Sequence, residues 1–173
     1  MRIPLTDEAD WDERTRKTLD QLQRLNIFRA LAHHPELLHR WLVFGRHVLG
    51  GSTLPARERE LVILRTGWRC GSEYEFAQHR VLGRRSGLTD AEIDKIASDA
   101  DDWAARDTVL LQATDQLVAD HRLDEELWKA LSQEWSRQQV MDLVFAVGQY
   151  TLVSTALNTF QVPLDEGLQG FPS

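Results

Sequence analysis

Two helical stretches separated by a single glycine constrain this chain more than any other part of its sequence. Pro55 can open a helix that runs to about Arg69, Gly71 breaks it, and a second helix runs from Glu73 to Ser86 before Gly87. Proline is preset for a first helical turn and glycine for the left-handed residue just past a helix end, so the pattern predicts two helices meeting at a tight joint. The same signals continue on both sides. Thr6 or Asp7 can cap a first helix to about Leu25, and Pro35 can open a second through Leu37, Leu38, Trp41, Leu42 and Val48 that stops at Gly50 and Gly51. Thr89 with Glu92 and Ser136 with Gln139 have the capping-box spacing, for a short helix to about Ala97 and a long apolar one ending near Phe160. Ala104–Asp120 and Glu125–Glu134 complete the set. No strand-like alternation lasts long enough to compete, so the expected class is all-α.

The chain of 173 residues suits one domain with one sizeable core. It divides into N-terminal helices over 1–50, a central region over 55–97, C-terminal helices over 103–160 and an irregular tail over 161–173. With 42% hydrophobic and 27% charged residues it is neither disordered nor fibrous. A formal net charge of -7, with basic residues interspersed among acids, argues against a nucleic-acid partner. The stretch from Val140 to Leu157 is the one candidate membrane span, but Asp142, Gln149 and Asn158 in or beside it would be costly in lipid. It reads as a buried helix, and no membrane partner is expected. The N-terminus shows no apolar run of signal-peptide length. One cysteine excludes an internal disulfide, and a cytoplasmic location is expected.

Chemistry-bearing residues gather around the Gly71 joint. Leu61, Leu64 and Trp68 share a helix face, and Glu60 borders it, where desolvation would disfavour the carboxylate and make it a candidate proton-transfer group. The alternative is a snorkelling Glu60 paired with Arg57 or Arg65, with Arg59 and Arg69 pointing elsewhere. His79 stands one turn after Glu75, so the two can meet on one face and tune an imidazole for acid–base work near neutral pH. A lone His beside Phe76 and Leu82 is otherwise an ordinary packing residue. Ser72 and Glu75 also fit a capping box, which requires nothing catalytic. Cys70 lies before the second helix, where Arg69 and the helix N-terminus could lower its pKa, or it is simply a small buried turn residue.

Other constellations are thinner. Glu36 and His39 have the Glu-x-x-His spacing of di-iron bundles, but only one such unit is present, so no metal is expected. His33 and His34 beside Pro35 fit a loop or helix start. The six Trp residues read as core and interface anchors. No phosphate-binding Gly-rich loop occurs, and no cofactor is expected.

The block from Arg57 to His79 resembles the signature of the carboxymuconolactone decarboxylase family, which includes the alkylhydroperoxidase D-like (AhpD-like) proteins. Arg59-Glu-Leu-Val-Ile-Leu64, Glu73-Tyr-Glu-Phe-Ala-Gln-His79 and Gly87-Leu-Thr-Asp-Ala-Glu-Ile93 follow in the family's order, and Asn158-Thr-Phe-Gln-Val-Pro-Leu-Asp-Glu166 adds an echo. In the peroxidase branch an acidic residue precedes a Cys-x-x-Cys pair that a His follows. Those positions fall here on Glu60, Ser72, Glu75 and His79, so both thiols are missing. The resemblance implies an AhpD-like helical bundle, a close helix pair about Gly71, and a homo-oligomer (dimer, trimer or hexamer) with sites near subunit contacts.

The resemblance further implies a cofactor-independent lyase or isomerase acting on a small carboxylated or lactone-type metabolite. His79 would move the proton, Glu60 and Glu75 would orient and tune it, Arg57 or Arg65 would hold a substrate carboxylate, and Tyr74 would contact substrate. A thiol-dependent peroxidase working through Cys70, and a non-catalytic oligomeric metabolite-binding protein, are the alternatives.

Overall fold

The computed structural model describes residues 1–172; Ser173, the last residue of the expected tail, lies outside the described residues. Among them are nine α-helices and no strand. The order is α1 (Glu13–Gln21), α2 (Asn26–Leu31), α3 (Pro35–Arg46), α4 (Ala56–Arg69), α5 (Glu73–Arg85), α6 (Asp90–Ile96), α7 (Ala105–Asp120), α8 (Glu125–Glu134) and α9 (Arg137–Phe160).

Helix α4 is the axis of the bundle. Every residue from Glu60 to Gly67 is buried, as expected of a helix covered on all sides. Leu61, Ile63 and Leu64 pack into one core with Phe76 of α5, Ile93 of α6, Leu110 of α7 and Leu143 of α9. Burying side chains of this size contributes about 1.5–3 kcal/mol each. Two smaller clusters complete the interior. Trp11, Leu19, Leu38 and Leu42 hold α1 to α3, while Ile27, Tyr74, Val153 and Leu157 join α2, α5 and α9.

The expected first helix is not continuous. A 3₁₀ turn at Glu8–Asp10 precedes α1, and Asp12 caps α1 by accepting from the Thr15 amide. Thr6 instead ties the entering chain to α2, donating to the Arg29 carbonyl at 2.8 Å and accepting from Trp11 Nε1 at 2.7 Å. Gln23 and Arg24 then take left-handed backbone angles that end the first helical run before Asn26. The second expected helix runs as far as Gly51, but its last turn, His47–Gly51, is widened to a π-helix. Asp142 of α9 anchors that turn, accepting from the Thr53 amide at 2.6 Å and lying 3.1 Å from His47 Nε2.

Helix α9 begins with the Ser136–Gln139 capping box. It is long and apolar enough to cross a membrane by length and composition, yet half of its most apolar window is buried against the other helices. The tail also folds onto the bundle. Asp165 accepts from the Asn26 amide at 2.9 Å and from the Tyr74 hydroxyl.

Candidate active site

The joint between α4 and α5 is built from two glycines with different duties. Gly71 adopts φ +61, the left-handed residue that lets the chain reverse, and the Ser72 amide donates back to the Gly67 carbonyl at 2.8 Å. Gly67 gives the close approach. A Cβ there would stand 3.4 Å from Glu75 Cβ and 3.5 Å from the Phe76 amide nitrogen, so the first turn of α5 rests against bare backbone of α4.

That approach brings Glu60, Glu75 and His79 together. Nδ1 of His79 lies 2.7 Å from Glu60 Oε2, and Nε2 lies 3.4 Å from Glu75 Oε2. All three side chains are buried. Behind them Arg59 Nε stands 3.6 Å from Glu60 Oε1, so it is Arg59, expected to point away, that accompanies Glu60. The ring of Tyr150 packs edge-on against the imidazole with centroids 4.7 Å apart.

Burial and charge compete over the protons here. For His79 burial disfavours the imidazolium, but the Glu60 charge and hydrogen bond, helped by Glu75, more than offset it and hold the pKa above its ordinary value. Glu75 is raised, first because burial penalises its carboxylate and only partly relieved by His79. The Tyr150 hydroxyl is pushed well up by burial and by the two nearby carboxylates, so it remains a neutral donor. The cluster therefore favours bound protons, with Glu60 holding the imidazolium form and Glu75 at its free edge.

His79 and Glu75 open onto a cavity of about 160 Å³. Its walls are mainly apolar, with Ile27, Phe28, Trp41, Leu42 and Val153 prominent, and Arg46 joins the lining. Glu60 does not line it, which makes Glu60 the buried anchor of the imidazole. Gln149 and Tyr150 of α9 do line it, although neither was singled out as a site residue from the sequence. The only signal was a glutamine in the middle of an apolar helix.

Several expectations change at this point. Ser72 stands at the N-cap of α5 but forms no side-chain cap, and its buried hydroxyl has no partner among the described residues. The capping box is absent because Glu75 turns toward His79. Arg57 is held by Asp107 and Glu92, at 2.9 and 2.5 Å, well away from the cavity lining. Arg65 is buried and clamps α4 to α7 through Asp115 at 2.7 Å while donating to the Ile96 and Ser98 carbonyls. Neither arginine reaches this cavity. Tyr74 forms part of its wall, but its hydroxyl is committed to Asp165 and the Ile27 amide. Cys70 is half-buried, 4.0 Å from Thr151 Oγ1, and burial pushes its thiol pKa up rather than down. Arg69 cannot lower it, being spent on Asp115 and Asp99.

An all-α bundle with a buried carboxylate–imidazole–carboxylate row across a helix joint defines the class of protein at hand. Residues 35–116 match the model of the carboxymuconolactone decarboxylase family. No curated protein matches the chain. Among solved structures, the AhpD-core, uncharacterized peroxidase-related protein from Ralstonia eutropha JMP134 superposes with a TM-score of 0.86 at 19% identity, covering 95% of this chain and 92% of that one. An uncharacterized peroxidase-related protein from Silicibacter sp. TM1040 gives 0.85 at 16% identity, covering 99% and 94%. The debrominase Bmp8, solved in complex with 2,3,4-tribromopyrrole, gives 0.78 at 10% identity, covering 96% and 92%. At such identities the likeness is one of fold, and a fold of this kind hosts more than one chemistry.

Proposed function

We propose that the protein is a cofactor-independent lyase or isomerase that moves a proton to or from carbon in a small lactone-type or carboxylated metabolite. The observation that carries this reading is the row Glu60–His79–Glu75, held at 2.7 and 3.4 Å and opening onto an apolar cavity through His79 and Glu75. His79 Nε2 gives the proton, Glu60 holds the ring and its charge, and Glu75, with its raised pKa, is the base that takes a proton back. In a decarboxylation the bond to the carboxylate breaks, its electron pair passes into the substrate's conjugated system, and His79 protonates the resulting carbon. A substrate carboxylate would face Arg46, the arginine in the cavity lining.

Incubation of γ-carboxylated butenolides in deuterated water tests this reading. The expected result is loss of carbon dioxide or shift of the double bond with one deuterium fixed at carbon, abolished by His79→Gln. Turnover that survives His79→Gln would refute it.

We further propose that the protein works as a homo-oligomer. Met141, Phe145 and Leu152 expose one apolar side of α9, and Phe145 meets the exposed Phe44 of α3 with ring centroids 6.0 Å apart. A second copy of the chain is the occupant this surface suits. A cytoplasmic setting, in keeping with one unpaired thiol, belongs to the same proposal.

A further inference from the structure

Helix α9 carries two polar side chains at the cavity that the protein itself does not use. Gln149 and Tyr150 are 5% and 6% exposed. Neither the Gln149 amide nor the Tyr150 hydroxyl makes a hydrogen bond to any described residue, while both line the cavity that His79 and Glu75 open onto. Nothing in the packing requires either group, since Leu and Phe would fill the same space. Gly45 of α3 stands beside the amide, where a Cβ would be in ordinary contact at 3.7 Å from Gln149 Nε2.

We propose that the Gln149 amide and the Tyr150 hydroxyl receive the carbonyl oxygen of the substrate, and that the substrate is therefore an enolisable ketone or lactone. This rests on the proton-transfer reading above and deepens it. The chemistry balances without a co-reactant. When Glu75 takes a proton from the α carbon, the electron pair of the carbon–hydrogen bond forms the carbon–carbon double bond and the carbonyl π pair moves onto oxygen. The two donors meet the charge that develops there, and His79 later returns a proton to carbon. Donors fixed in a water-poor cavity act where charge appears and need no reorganisation. The apolar walls and the size of the cavity suit a flat ring of a few carbons.

Acetophenone, a neutral enolisable aromatic ketone, is the probe. Two quantities are read on the whole protein: the carbonyl stretching frequency of bound acetophenone by infrared spectroscopy, and loss of its methyl protons to deuterated water by NMR. The stretch in the wild-type protein is expected below that of acetophenone in water. It should rise in Tyr150→Phe and in Gln149→Leu, and proton exchange should fall roughly 100-fold in each, the usual effect of removing one such donor. His79→Gln should abolish exchange while leaving the lowered stretch in place.

A stretch that neither α9 substitution moves, or a wild-type protein that binds no acetophenone, overturns the proposal. A lowered stretch that depends on Tyr150 and Gln149 but comes without exchange upholds the donor pair and refutes the proton-transfer reading instead. Exchange that survives in both α9 variants at the wild-type rate upholds proton transfer and refutes the donor pair.

Discussion

Glu60 Oε2 lies 2.7 Å from His79 Nδ1 although 19 residues separate the two in the chain. The contact crosses from α4 to α5 and fixes which imidazole nitrogen is left for chemistry. With Nδ1 donating to Glu60, Nε2 is the atom presented toward Glu75.

Replacing Glu60 by Gln removes the charge that outweighs burial at His79. The imidazole pKa is expected to fall from its raised position, because burial then acts with little opposition. NMR titration of the His79 ring checks this. Turnover should fall about 100-fold, the scale of a lost acid–base group.

The pH dependence of stability follows from the same groups. The folded pKa of His79 is above 6.5, so the stability its partners give is fully present below pH 6.5 and is lost as pH rises through the folded value. Glu75 is raised above 4.5, so its neutral form is the one that suits burial, and ionising it on going to higher pH also costs stability. Calorimetry should show the melting temperature falling as pH rises beyond these values. The fall should be shallower in His79→Gln.

The arginines near the joint should behave as structural braces. Arg65→Ala is expected to cost about 3 kcal/mol, since it strips a buried ion pair and two carbonyl partners. Arg57→Ala should cost about 2 kcal/mol through lost charged hydrogen bonds. Denaturant titration gives both values. The Michaelis constant of Arg57→Ala should stay within about threefold of wild type, a difference of less than 1 kcal/mol.

Cys70→Ser should leave turnover unchanged, and the wild-type protein should reduce hydroperoxides negligibly with a dithiol reductant. A raised pKa keeps the thiol protonated, and no second cysteine is present to resolve a sulfenic acid. Robust peroxide reduction that vanishes in Cys70→Ser would instead place the chain among one-cysteine peroxidases.

Sedimentation of Phe145→Lys tests the assembly. The wild type is expected to sediment as an oligomer at micromolar concentration, and the charged variant as a smaller species. A wild-type monomer would refute the proposed interface.

Helix order was legible in the sequence because it rests on local chemistry: Pro at helix starts, Gly at ends, and capping boxes at Thr89 and Ser136 that the structure forms. The grouping of Glu60, Glu75 and His79 was legible through their spacing about the joint. What spacing could not convey was competition between partners. Ser72 and Glu75 satisfy the capping pattern, yet the carboxylate goes to an imidazole on its own helix that is already oriented by another. Arg57 and Arg65 lie close to Glu60 in sequence, but the stronger claims on them come from Asp107 and Asp115, each 50 residues away. Gln149 was legible only as an oddity, since its surroundings come from α3 and α5.

The contact at Gly67 has a consequence for how this protein would lose activity. Glu60 sits on one helix, Glu75 and His79 on the next, and the seam between them lies within the main core rather than on a loop. No local opening can part these groups without disrupting that core. Under denaturant, inactivation and global unfolding should therefore coincide in a single transition, and the amides around residues 60–67 and 75–79 should be among the last to exchange with solvent.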